Sequence, residues 1–218
     1  MENYISNPYY SNSSWSEAWA NSLFRKKVII GVLLFAAILF ILPQFFSTIE
    51  ARQGIVLNDW LLQQIPSMDF SILIFILVWS TSLLILTRCI QQPAIFLMTL
   101  YFLILITLSR IITISIIPLD PPNGLIVLKD PLTSLTYGGS SVFITKDLFF
   151  SGHTSNLFMF YLCLQKKNDK LFALFTSLLV GLLVLVQHVH YSIDVIGAIV
   201  FTYLLVKYSK HLGFIKLK

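Results

Sequence analysis

Charge is scarce in this sequence. Only 11% of its 218 residues are Asp, Glu, Lys or Arg, against roughly 25% in a soluble domain. Hydrophobic residues make up 56%, so lipid rather than water is the solvent this composition fits. Cysteine is nearly missing as well. Cys89 and Cys163 stand far apart and form no metal-type pair, so neither a disulfide nor a thiolate metal site is expected; acylation of either is a weaker alternative. There is no HExxH motif and no acidic cluster, which argues against a metal centre. Basic stripes interleaved with aromatics are also absent from any soluble stretch. The formal net charge of +5 therefore does not point to nucleic acid, because the lysines and arginines gather at the ends of apolar blocks. No internal repeat is visible and no cofactor is implied.

What is present is a series of long apolar blocks. A helix crossing a hydrocarbon core of about 30 Å needs roughly 20 apolar residues at 1.5 Å each. Residues 28–46, 70–87, 94–117, 149–165, 171–189 and 193–206 read as six such spans. Pro93 and Pro118 bound the third. The fourth and sixth begin in polar residues, which are tolerated where they face a site rather than lipid. Arg25, Lys26 and Lys27, then Arg88, then Lys166, Lys167 and Lys170, and finally Lys207, Lys210, Lys216 and Lys218 share one side if there are six spans. The other side holds only Arg52, Lys129 and Lys146. The positive-inside rule then makes both termini cytoplasmic. The expected fold is all-α and polytopic: a cytoplasmic tail 1–27, a six-helix membrane domain 28–206, and a basic cytoplasmic tail 207–218. The first span is read as an anchor, since its apolar run exceeds a signal-peptide h-region and no small-residue cleavage site follows. Ahead of it, Trp15, Trp19 and Leu23 recur at helical spacing. They mark either a short interfacial helix or anchoring aromatics in an Asn/Ser/Tyr-rich tail.

Two stretches place ionisable groups at membrane depth. Ser151-Gly152-His153-Thr154 opens the fourth span, and His190-Tyr191-Ser192-Ile193-Asp194 lies between the fifth and sixth. The histidines His153 and His190 are 37 positions apart, yet the helix directions bring both to the extracytoplasmic or lumenal level. Phosphate esters repel anionic nucleophiles, so a neutral imidazole suits attack on them. A carboxylate on the other ring nitrogen fixes the tautomer and stabilises developing charge. His190 and Asp194, four residues apart, fit those roles, and His153 fits the acid/base that serves the alcohols. Gly152 lets backbone come close to a phosphate, and Ser151 and Thr154 can donate to it or cap the helix. Arg110, deep in the third span, needs an anion, either a substrate phosphate or a carboxylate such as Asp147 or Asp194; phosphate is favoured. His188 and His190 point to nearly opposite helix faces, so His188 is read as packing or bonding nearby, and His211 as a tail residue.

These residues resemble the sphingomyelin synthase family, a branch of the lipid phosphatase and phosphotransferase superfamily. That family carries Cys-Gly-Asp shortly before Ser-Gly-His-Thr, and later His-Tyr-Thr-x-Asp-Val. Here Asp147 matches the aspartate, Thr145 and Lys146 replace the Cys-Gly, and residues 190–195 differ only by Ser192 for Thr. Arg110 with Leu119-Asp120-Pro121-Pro122 looks like the family's arginine-then-proline element, and residues 57–66 are weakly similar to its first outer loop. Type-2 phosphatidic acid phosphatases place an arginine six residues before the second histidine, where this chain has Val184. That departure favours the synthase-like branch.

The resemblance implies a phosphohistidine intermediate on His190 with His153 as acid/base. The expected activity is transfer of phosphocholine or phosphoethanolamine from a glycerophospholipid donor to a lipid alcohol such as ceramide or diacylglycerol. A hydrolase using the same residues is the alternative, and a non-catalytic lipid-binding membrane protein is the second. Asp147, Tyr191 and Tyr137 are candidate head-group contacts, Lys146 is a cation near the site, and the outer loop 118–147 is long enough to shape an entrance. Oligomeric state is not legible.

Overall fold

A computed structural model of the chain describes residues 14–128 and 144–211. Tyr137, Lys129, Lys216, Lys218, residues 1–13 of the tail and 129–143 of the outer loop lie outside the described residues. The architecture is all-helical. Its elements are α1 (Trp15–Ala20), α2 (Ser22–Ala51), α3 (Trp60–Gln63), α4 (Ser71–Gln91), α5 (Pro93–Ile116), α6 (Gly152–Cys163), α7 (Lys167–Val186) and α8 (Ser192–His211). Five of them, α2, α4, α5, α7 and α8, are long and apolar enough to cross a membrane.

Local sequence explains the ends. Ser14 opens α1 with a capping box: its hydroxyl takes the Glu17 amide at 3.3 Å, and the Glu17 carboxylate takes the Ser14 amide at 2.7 Å. Asn21 then ends α1 and caps α2 through the Leu23 and Phe24 amides. The stripe of Trp15, Trp19 and Leu23 is thereby divided between two helices. Trp15 turns inward: its ring meets Phe24 and Phe96 edge-on, and its indole N–H donates to the Ile90 carbonyl at 2.7 Å. Trp19 remains exposed. Pro93 sits at the first position of α5, where its missing N–H costs nothing.

Helix α2 runs 30 residues, about 45 Å, and packs on α5. Val28, Gly31, Ile38, Leu42, Phe46 and Ile49 line its buried stripe, while Phe40 is 87% exposed on the opposite, lipid-type face. Its extra length carries Glu50 to the level of the site. At the opposite end of the bundle, Arg88 pairs with Asp169 through two bonds of 2.6 and 3.2 Å, fastening the end of α4 to the start of α7. Thr81 and Thr176 meet at 3.0 Å in the packed interior between the same two helices.

The stretch expected to be the fourth span differs most from expectation. Only Gly152–Cys163 is helical, 12 residues or about 18 Å, well short of a 30 Å core. Residues 149–151 leave the helix because their backbone groups bond to other elements, as described below. Helix α6 touches α4, α5, α7 and α8, and Leu157, Phe158, Met159, Phe160 and Cys163 are buried. It is the inner helix of the bundle, so its polar start does not face lipid.

Candidate active site

The chain ahead of α6 is pinned almost residue by residue. The Glu50 carboxylate accepts from the amides of Thr145 at 3.0 Å and Lys146 at 3.1 Å, and also from the Thr145 hydroxyl. Lys146 ion-pairs with Asp120 at 2.8 Å and donates to the Arg52 carbonyl, so its charge is directed toward the outer loops. Asp147 meets Arg110 Nη2 at 2.5 Å. From α5, Arg110 Nε donates to the Phe150 carbonyl at 2.9 Å and the Thr113 hydroxyl to the Phe149 carbonyl at 2.9 Å. The Ser151 amide donates to the Asp194 carbonyl at 3.1 Å. That last bond ties the start of α6 to the start of α8 and so joins the two histidine-bearing segments.

The candidate site residues that fall within the described stretches each have a defined place here. Ser151 is the N-cap of α6; its hydroxyl donates to Thr154 Oγ1 at 3.2 Å, and both residues are fully buried. Gly152 lies under the Arg110 guanidinium. A Cβ there would sit 2.6 Å from Arg110 Cζ and Nη1, closer than any relaxed contact, so the residue's lack of a side chain is what admits the arginine. Arg110 thus has a carboxylate, a carbonyl and a bare helix start around it. His153 presents its ring edge-on to Phe75 of α4, centroids 6.4 Å apart.

The second histidine is better enclosed. His190 Nδ1 faces Asp194 Oδ2 at 3.3 Å, and the same oxygen accepts the Tyr191 amide at 2.9 Å. Asp194 is fully buried, and its Oδ1 has no hydrogen-bond partner. A buried carboxylate oxygen left unpaired is costly and is a feature found at functional positions. With Nδ1 toward the carboxylate, Nε2 is the ring nitrogen left for chemistry.

The outer loops meet the turn between α7 and α8. Tyr191 is 1% exposed; its hydroxyl donates to the Asp120 carbonyl at 2.9 Å and accepts from the Leu57 amide at 3.1 Å. The side chain of Gln187 is bonded at both ends, to the Phe70 amide, the Ser71 hydroxyl and the Ile126 carbonyl. His188 sits between the carbonyls of Asn123 at 2.8 Å and Ile65 at 3.0 Å. An isolated parallel bridge pairs Ile55 with Leu119. Next to it, a Cβ on Gly54 would come within 2.4 Å of the Leu119 backbone carbon and 2.6 Å of the Asp120 nitrogen. Backbone cannot yield as a flexible side chain does. Gly54→Ala is therefore expected to cost about 1–3 kcal/mol, read as a lower melting temperature in mild detergent; an unchanged melting temperature would mean the loops do not meet this closely.

Two carboxylates beside the site, Glu50 and Asp59, carry no motif signal in the sequence. Asp59 caps α3 through the Leu61 and Leu62 amides and also binds Ser192, the first residue of α8. Burial pushes its pKa up, but the bonds from Ser192, Leu62 and Leu61 outweigh that and hold it below the ordinary carboxylate value. The sign follows: its stabilisation is complete above the unfolded pKa of about 3.9 and is lost as pH falls through the lower folded value. The only sequence signal was the weak likeness of residues 57–66 to an outer loop. Among the described residues, no group of three or more His, Cys, Asp or Glu side chains is arranged to hold a metal ion.

Residues 146–212 match a family model described as "PAP2 superfamily C-terminal". The match takes in Asp147, α6, α7 and α8 with both histidines, and leaves out Arg110 and Asp59. It supports a likeness to the lipid phosphatase and phosphotransferase superfamily. No match to the chain was found among curated proteins.

Proposed function

We propose that this integral membrane protein is a phosphotransferase that moves a phosphocholine or phosphoethanolamine group from a glycerophospholipid to a lipid alcohol such as ceramide or diacylglycerol. The observation that carries this reading is the buried His190–Asp194 pair tied through Ser151 to the helix start that bears His153 and lies under Arg110. Its likeness to the superfamily segment supports the reaction class.

In the first step Nε2 of His190 attacks the donor phosphorus. The bond from phosphorus to the diacylglycerol oxygen breaks, and His153 gives that oxygen a proton. The ring now carries positive charge, and Asp194 at Nδ1 is placed to stabilise it. Arg110, through the edge of its guanidinium over Gly152, neutralises charge on the phosphoryl oxygens. In the second step His153 takes the proton of the acceptor hydroxyl, whose oxygen attacks phosphorus as the P–N bond breaks. His190 returns neutral, and no proton is gained or lost over the cycle. Water in place of the acceptor gives hydrolysis.

Both termini lie in the cytoplasm and the site faces the opposite side in this proposal. The basic residues at the starts of α2 and α7 and the end of α4 support that orientation.

Purified protein in liposomes of phosphatidylcholine or phosphatidylethanolamine with fluorescent ceramide or diacylglycerol tests the proposal. A new fluorescent phospholipid made at the expense of the donor is the expected result. Soluble phospho-alcohol or phosphate without that product would assign a hydrolase, and no turnover with any donor would remove the enzymatic reading.

A further inference from the structure

The turn that carries His190 is held from two sides, and only one of them belongs to its own helix. Asp194 takes the His190 ring and the Tyr191 amide, which shapes the turn locally. Being four residues along the same chain, its side chain cannot fix where the turn sits in the bundle, and across to α6 its backbone carbonyl takes the neutral Ser151 amide at 3.1 Å. Asp59 does reach across. Its Oδ2 accepts the Ser192 amide at 2.6 Å and its Oδ1 the Ser192 hydroxyl at 3.1 Å. Oδ1 also accepts the Leu61 and Leu62 amides at 3.1 and 3.3 Å. A capping aspartate normally serves one helix. Here one carboxylate serves two helix starts, α3 and α8, separated by 133 positions in the chain. Ser192 stands midway between His190 and Asp194. Other contacts to the turn, from Gln187, His188 and Tyr191, run to neutral backbone groups or hydroxyls. The Asp59 bond to the Ser192 amide is the shortest of these cross-links, and it involves a carboxylate acceptor.

We propose that Asp59 is a positioning residue for the nucleophile: through Ser192 it sets the place and rotation of the turn so that His190 Nε2 faces the phosphoryl group, without itself touching substrate. This rests on the phosphotransferase reading. It also gives residues 57–66 of the first outer loop a part in catalysis that their lack of histidine, arginine or cysteine hides.

The test uses the full chain in liposomes, with Asp59→Ala and Asp59→Asn beside wild type. Three quantities are measured: turnover per active site, with sites counted by covalent labelling of the enzyme from a head-group-radiolabelled donor; the donor KM; and amide exchange of residues 186–194. Asp59→Ala is expected to lower kcat per labelled site about 10- to 100-fold with KM within about twofold. Asp59→Asn, which keeps one acceptor oxygen, should recover most of that loss. Exchange at Ser192 should be faster in the alanine variant. A merely structural role would lower the melting temperature and the number of labelled sites while leaving kcat per site unchanged, and that result overturns the proposal. If wild type neither labels nor turns over, the phosphotransferase reading fails by itself. Exchange then still decides the contact, because a Ser192 amide as protected in Asp59→Ala as in wild type overturns the positioning.

Discussion

Replacing His190 by alanine is expected to abolish both turnover and covalent labelling, a loss of several orders of magnitude with every donor. His153→Ala is expected to behave differently. An acid/base histidine contributes about 10²–10⁴-fold, and on a natural lipid the variant should lose that much, because the departing diacylglycerol oxygen is a poor leaving group without a proton. A donor whose leaving group is an acidic phenol does not need that proton. On such a donor His153→Ala should still form the covalent enzyme, recovering most of its first-step rate, while His190→Ala stays silent. The asymmetry follows from geometry. His190 is the enclosed histidine with Nδ1 against Asp194, whereas His153 is partly open beside Phe75. Equal rescue of both variants, or of neither, would reverse or remove the assigned roles.

The second large effect is expected from a single methyl group. Gly152→Ala puts a Cβ 2.6 Å from Arg110 Cζ and Nη1 and 2.8 Å from Nη2. Either the guanidinium or the start of α6 has to move. Arg110 is held by the Phe150 carbonyl and Asp147, so the displacement also strains the segment leading to His153. A misplacement of about 1 Å costs on the order of 10²-fold in rate, and Gly152→Ala should show at least that in kcat. A double-mutant cycle isolates the cause: on an Arg110→Ala background the same glycine change should cost little. If the two losses simply multiply, the glycine serves something other than the arginine. Arg110→Lys should also be poor, since a point ammonium cannot serve the carbonyl, Asp147 and a phosphoryl oxygen with one planar fork.

Two of the strongest sequence signals were local ones. The i,i+4 spacing of His190 and Asp194 is a short-range property, and the structure brings the two side chains together across the start of α8. Apolar runs likewise set α2, α4, α5, α7 and α8, because each had enough length to be recognised without reference to its neighbours. Residues 149–165 were harder to read. Their apolarity marks a helix running through the bundle, but burial among other helices demands apolar residues as firmly as lipid does, so composition alone did not set its length of 12 residues. Arg110 shows a similar limit. Its need for an anion was plain from depth alone, and the sequence offered phosphate, Asp147 and Asp194 together. Distance gives it Asp147 in the folded chain, and its phosphate role belongs to the proposal.

What the sequence determined by itself is the membrane class, the helical architecture and the residue types of the candidate site, since each is legible within a few turns of chain. What only the tertiary structure decided is which groups hold that site in place. The space above Gly152 that Arg110 occupies, the use of Glu50 to fasten residues 145 and 146, and the sharing of Asp59 between α3 and α8 all join segments far apart in the chain. Such contacts carry no periodicity and no local spacing, because they arise only when packing brings distant backbone amides and carboxylates within hydrogen-bonding reach.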